Sequence, residues 1–265
     1  MSPQIDADGV PDRCLTLTIR SAWGHFRKVG RTATKQTYRV IPRTTVAGLL
    51  AAIVGAPRDS YYDVFGAETS AVAITPLSDL RTLNMPKTVV GTDPDQSVTE
   101  TVGSRRSKAV TYQDSTEDRQ IHVYETLIEP AYRIDVAVDD DFHEQLRERL
   151  TQDRSHYPPS MGVSQHLASV ELEATEATPS RRAPDGPVEI ESVVPASLDV
   201  TVPQPGVQYS IERSPAVMES IPGGRRTTRF DDYVFTPTAD APVSVDPSQL
   251  DRPVVGINGR TVVFR

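Results

Sequence analysis

Two strand–helix–strand runs, separated by a long stretch without hydrophobic periodicity, predict an α+β chain on the ferredoxin-like or RRM-like βαββαβ plan. Short, proline-punctuated β-rich segments beyond residue 178 add a small C-terminal extension. The expected division is therefore 1–177 for the first domain, with an insertion at about 84–120, and 178–265 for the extension. At 265 residues the chain is long enough for a sizeable core.

In chain order, the polar, acidic segment MSPQIDADGVPD has no hydrophobic run, so it reads as a frayed tail and not a signal peptide. Residues 13–20, RCLTLTIR, alternate with Cys14 or Leu15, Leu17 and Ile19 apolar, and predict the first strand. Pro42 stops extended chain, and Thr44 or Thr45 offers a cap. Val46, Leu49, Leu50 and Ile53 fall at i, i+3, i+4 and i+7 of a helix ended by Gly55 and Pro57. Asp59 offers a cap for a shorter helical turn through SYYDVF, and residues 71–77 predict the next strand.

Between Asn84 and Gln120 the pattern disappears, which predicts a segment that is mobile or ordered by a partner. Strands are expected again at 121–128 and 132–138. Asp139, Asp140 and Asp141 then supply caps and a negative first turn for a helix with Phe142, Leu146 and Leu150 apolar. A second helical piece is expected at about 160–168, after Pro158 and Pro159, and a strand at 170–175. TPSRRAPDGP, 178–187, has linker composition. Beyond it, strands are expected at 190–194, 198–202, 207–213 and 230–235, and Asn258-Gly259 between β-branched runs predicts a closing hairpin.

Charge singles out one region. The chain carries 28 basic and 36 acidic residues, net −8, yet no Asp or Glu occurs between Asp12 and Asp59. That window holds Arg13, Arg20, Arg27, Lys28, Arg31, Lys35, Arg39, Arg43 and Arg58. Such segregation points to a polyanion site in a body that repels polyanions elsewhere. Trp23, His25, Phe26 and Tyr38 lie among these cations, and cations interleaved with aromatics suit single-stranded nucleic acid, whose phosphates need charge and whose bases need flat faces. Scarce lysine and abundant aspartate point to a salt-loving host.

The combination WGHFRK, IPRTTVAGLLAAIVG and RDSYYDVFG resembles the fifth CRISPR-associated protein family, a RAMP subunit of type I Cascade complexes. YPPSMGVSQHLASV and RRTTRFDDYVF follow the family in the right order. The resemblance implies a guide-RNA-binding subunit that caps the 5′ handle, in the I-B subtype of a halophilic archaeon, working in the cytoplasm. It implies that 84–120 is a thumb hairpin lying along the guide, and that the partners are the guide RNA, the repeated backbone subunit and the large subunit, with target DNA met only within the complex.

The expected RNA contacts are Trp23, His25, Arg27, Lys28, Arg31, Lys35, Arg39 and Arg43, then Arg105, Arg106 and Lys108 in the thumb, then Arg225, Arg226 and Arg229 after Gly223-Gly224. No catalytic residue, cofactor or metal is expected. The runner-up is a metal-independent endoribonuclease with His25 as general base beside Lys28 and Tyr38; a protein-interaction module is the third reading. Phosphate-binding, dinucleotide, zinc-protease and nucleophile-elbow motifs are absent. Cys14 alone forms no internal disulfide, and no run is long enough to span a membrane.

Overall fold

The computed structural model describes residues 5–6, 9–28, 34–90, 98–102, 105–109, 119–239 and 241–265. Its centre is a four-stranded antiparallel sheet built from β1 (Cys14–Arg20), β2 (Ala71–Pro76), β5 (Ala131–Ala137) and β6 (Ser169–Ala177), in the order β6-β1-β5-β2. Helix α1 (Arg43–Val54) links β1 to β2, and α2 (Asp140–Thr151) links β5 to β6. Between β2 and β5 a long hairpin rises, in which β3 (Thr82–Val90) pairs with β4 (Arg119–Ile128) from Thr82↔Leu127 to Val90↔Arg119. Further along this insertion, Val98–Val102 pairs with Arg105–Ala109.

Alternation in β1 sends Leu15, Leu17 and Ile19 to the face covered by the helices, where they meet Val46, Leu50 and Ile53 of α1 and Phe142 and Leu146 of α2. Helix α1 ends at Gly55, which adopts φ 87°, and the backbone of His156 and Tyr157 then satisfies the carbonyls of Ile53 and Ala52. Helix α2 starts where the Asp139 carboxylate accepts from the Phe142 N–H at 2.9 Å.

The opposite face of the sheet is covered by the C-terminal strands. Cys14, Ala71, Ala73 and Ala137 pack against Val255, Ile257, Val262 and Phe264, and burial pushes the Cys14 thiol pKa up. Arg260 reaches from the closing hairpin to buried Asp135, with both hydrogen bonds at 2.8 Å, while Thr16 donates to the same carboxylate at 2.6 Å. That hairpin, Val254–Ile257 with Arg260–Val262, turns at Asn258 and Gly259, both at positive φ. β7 (Ser210–Ile221) and β8 (Gly224–Phe235) form a second long hairpin.

Three expectations are corrected. Residues 160–168 form turns and not a helix, because their backbone groups bond across the loop and to a neighbouring strand: Met161 N–H donates to the His166 carbonyl, and the Met161 carbonyl accepts from His25 N–H at 3.0 Å. Residues 60–65 also form turns; Asp59 lies at φ 63° and its carboxylate accepts from the Tyr62 hydroxyl at 2.5 Å, so no helix starts there. Leu198–Val200 is a 3₁₀ turn in place of a strand, while the C-terminal strands elsewhere are displaced or longer than expected: Val188–Ile190, Ser210–Ile221 and Gly224–Phe235. Among the described residues, no helix is long and apolar enough to cross a membrane.

Candidate nucleic-acid interface

The basic stretch folds back onto the root of the β3–β4 hairpin. Trp23–Gly24 pairs with the end of β4 at Ile128 and Leu127, Phe26–Arg27 pairs with Thr37–Tyr38, and Thr34–Lys35 runs parallel to Val123 and Tyr124 of β4. Two carboxylates pin this fold. Glu125 accepts from Thr37 N–H at 3.1 Å and from the Thr82 hydroxyl at 3.3 Å. Glu212, on β7, accepts from Lys28 Nζ at 2.9 Å, Arg39 N–H at 2.8 Å and Val40 N–H at 3.2 Å. The acids missing from the stretch itself thus arrive from distant strands, where they hold backbone as well as charge.

With the loop fixed, the expected contacts divide. Arg27 is exposed, Lys35 and Arg39 are half-buried, and none of the three forms an ion pair among the described residues. Lys28 is tied to Glu212 and lies 5.1 Å from the Tyr38 ring centroid. Arg31 lies outside the described residues. Arg105, Arg106 and Lys108 sit on the strand Arg105–Ala109. Arg225 pairs with Asp59 at 3.6 Å, Arg226 with Glu219, and Arg229 with Asp231 at 3.1 Å, so the C-terminal cations are matched by acids nearby.

Arg43 is corrected outright. Only 1% of it is exposed, and its guanidinium donates to the carbonyls of Phe65, Ala216, Gly66 and Ser70 at 2.9–3.2 Å and to the Ser70 hydroxyl at 2.6 Å. Burial pushes its pKa down to about 10, which still leaves it charged at neutral pH. It fastens the start of α1 to the following loop and to β7, and no phosphate can reach it. Phe26 and Tyr38, considered for stacking, belong to the core; Trp23 stays half-buried.

His25 is also buried, 1% exposed, with Nδ1 2.8 Å from the Glu125 carbonyl oxygen. A carbonyl only accepts, so Nδ1 carries the proton and Nε2 is left with its lone pair and no partner. Burial lowers its pKa, and nearby Lys87 and Arg27 lower it further. Lys28 donates instead to Glu212 and lies over the Tyr38 ring, and neither Lys28 nor Tyr38 hydrogen-bonds to the His25 ring among the described residues.

What surrounds His25 was not singled out in the sequence. Tyr124 stands edge-on to its ring at 5.3 Å, and Lys87 Nζ lies 5.1 Å from the Tyr124 centroid. His166, buried in the 160–168 loop, has its pKa pushed down to about 4 by burial, then by Lys87 and His25. Gly162 makes this contact possible: at φ 89°, a Cβ there would lie 2.1 Å from the His25 carbonyl oxygen. Arg27, Lys35 and Lys87 therefore bring positive charge to one patch at the hairpin root, beside half-buried Tyr124, with neutral histidines beneath. The one sequence clue to Lys87 is its rarity, as one of four lysines.

Comparison with known proteins places this arrangement. No curated protein matches the chain. A chain of a CRISPR RNA-guided surveillance complex is similar in structure, with TM-score 0.53 at 12% identity, covering 89% of this chain and 92% of that one, so the two share a fold. A chain from a Type III-B Cmr-beta complex bound to cognate target RNA and AMPPnP aligns with TM-score 0.44 at 9% identity, over 88% of this chain and 86% of that one. Residues 14–171, from the first strand of the sheet into the last, match the family described as CRISPR-associated protein (Cas_Cas5), and the chain belongs to that family.

Proposed function

We propose that this protein is a non-catalytic RNA-binding subunit of a type I CRISPR surveillance complex, of the I-B subtype and from a haloarchaeal cytoplasm, that holds the 5′ handle of the guide RNA. The observation that carries the reading is the patch at the hairpin root, where Arg27, Lys35 and Lys87, beside Tyr124, have no carboxylate partner among the described residues. In an acidic chain, cations left unpaired at one place are available to phosphates, and a half-buried ring offers a base a flat face. Family membership, and the fold shared with a chain of an RNA-guided complex, support the same reading. The guide RNA, the backbone subunit and the large subunit are the partners it implies. The sheet order β6-β1-β5-β2, with a helix in each crossover, supports a ferredoxin-like core, with the β3–β4 hairpin as the thumb and residues 178–265 as an extension.

Burial of His25 supports the non-catalytic reading over the ribonuclease, because a base must reach the 2′-hydroxyl whose proton it takes. The test is retention and cleavage of labelled handle RNA and repeat RNA at molar salt without divalent metal. Handle retention without cleavage, lost in the triple variant Arg27→Ala, Lys35→Ala, Lys87→Ala while the fold persists, is the expected result. Cutting that disappears with His25→Ala would move the protein to the ribonucleases, and undiminished binding by the triple variant would remove this patch from the site.

A further inference from the structure

The two edges of the central sheet are finished differently. Along β2, Val72 exchanges backbone hydrogen bonds with Arg265 at 2.9 and 3.0 Å, and Val193 N–H donates to the Ile74 carbonyl at 2.8 Å, so C-terminal chain covers that edge. β6 has β1 on one side and, among the described residues, no strand on the other. From Val170 to Glu176 its backbone makes no hydrogen bond outside the ladder with β1 among the described residues. A nine-residue strand presents roughly 30 Å of such edge. Uncovered edges of this length are templates for another strand.

The surroundings of this edge state what kind of strand. A groove of 690 Å³ runs along it, between β6 and the C-terminal end of α2, lined by Leu150, Val170, Leu172 and Ala174 together with Asp153, Glu171, Glu173 and Glu176. Among the described residues, no Lys, Arg or His lines it. The carboxylate of Glu173 is occupied by Arg133 at 2.7 Å and by the Thr18 hydroxyl. Glu171, Glu176 and Asp153 form no ion pair among the described residues. A second copy of β6 laid against this edge would set acid against acid, which is unfavourable on a sheet. A basic strand would meet the apolar floor of Leu150, Val170 and Leu172 on the α2 side, rimmed by Asp153 and Glu176, and Glu171 on the opposite face.

We propose that β6 accepts an extended, basic segment of a partner protein, which adds to the sheet as a fifth strand beside it. Its backbone takes up the free N–H and C=O groups of β6; its apolar side chains on the α2 side rest on Leu150 and Leu172; its alternate Lys or Arg side chains lie on the face of Glu171, and basic residues at its ends reach the Asp153 and Glu176 rim. Main-chain bonds supply the affinity of such an added strand and the side-chain pattern supplies its specificity. The site lies on β6 and α2, whereas the proposed RNA patch lies on Phe26–Arg27, Thr34–Lys35 and the root of β3–β4, so either can fail without the other.

The probe is an acetylated nine-residue peptide of alternating lysine and valine, compared with a peptide of the same composition in which the lysines are grouped at one end. Binding is read by titration, and its location by amide hydrogen exchange. The expected result is one saturable site for the alternating peptide, slowed exchange confined to 170–176, and an affinity at least about tenfold lower for Glu171→Lys with Glu176→Lys, a pair of substitutions that leaves thermal unfolding and handle-RNA binding unchanged. Equal binding of the two peptides, undiminished binding by the charge-reversed protein, unaltered exchange at 170–176, or self-association of the chain through this edge would each overturn the proposal.

Discussion

Arg27 and Arg43 come from one acid-free stretch and have opposite fates. Arg27 stands exposed with no carboxylate among the described residues, whereas Arg43 is buried and held by four carbonyls and a hydroxyl. The counterpart of a buried guanidinium need not be an acid. Carbonyls left over where a loop crosses a helix start supply enough dipole, and they leave no mark in a count of charges. An acid-free run of cations therefore contains both exposed charges open to a ligand and the fold's own fasteners, and burial separates them.

The widest test of this contrast is Arg43→Met. It removes one side of a buried network and leaves its carbonyls unsatisfied, so unfolding free energy is expected to fall by about 3–5 kcal/mol in a denaturant titration. Arg43→Lys retains the charge without the planar fork and should recover only part of that loss. A stable Arg43→Met protein that no longer binds handle RNA would break the comparison, since it would make Arg43 a contact after all.

Gly162→Ala comes next. The substitution forces a side chain into the left-handed region, at a cost of roughly 1–2 kcal/mol, and sets its Cβ against the His25 carbonyl. Total destabilisation above about 2 kcal/mol is expected, with exchange accelerated in 160–168 and at His25 N–H, whose acceptor is the Met161 carbonyl in that loop.

Arg27→Ala, on the exposed side, should do the reverse. Unfolding is expected to shift by no more than about 0.5 kcal/mol, while the slope of log affinity for handle RNA against log salt becomes shallower by about 1, as for the loss of one phosphate contact. An unchanged slope would assign the exposed cations to some other partner.

How much of this was legible follows the same line. The strand and helix periods were read correctly in β1, α1, β2, α2 and the Asn258-Gly259 hairpin, because burial there is regular and the apolar spacing records it. The stretch around 160–168 was misread because its order comes from backbone bonds to His25 and from one glycine at positive φ, which apolar spacing does not encode. Glu125, Glu212 and Lys87 escaped notice because each is far in sequence from the loop it serves; Glu212 meets Lys28 only after β7 has been laid beside it.

The histidines below the patch give a pH signature. Folded His166 takes up a proton only near pH 4, while the unfolded chain takes one up near the ordinary value of 6.5. Its burial therefore adds stability above about pH 6.5, and that stability is lost as pH falls toward about 4, below which this group has no further effect. His25 and His143 are shifted in the same direction and act in the same sense. A melting-temperature profile should fall between pH 6.5 and 4, and His166→Gln should flatten part of that fall.

The smallest effect is expected at Arg226. Arg226 and Glu219 face each other across the β7–β8 hairpin, both well exposed, so Arg226→Ala should cost no more than about 1 kcal/mol, and less in high salt. Because its charge is already matched by Glu219, its loss should leave the salt slope for handle RNA unchanged, in contrast to Arg27. A change in slope as large as that from Arg27→Ala would mean that RNA displaces Glu219 from Arg226. The interface would then extend along the β7–β8 hairpin, and a carboxylate partner in the free protein would no longer separate fasteners from contacts.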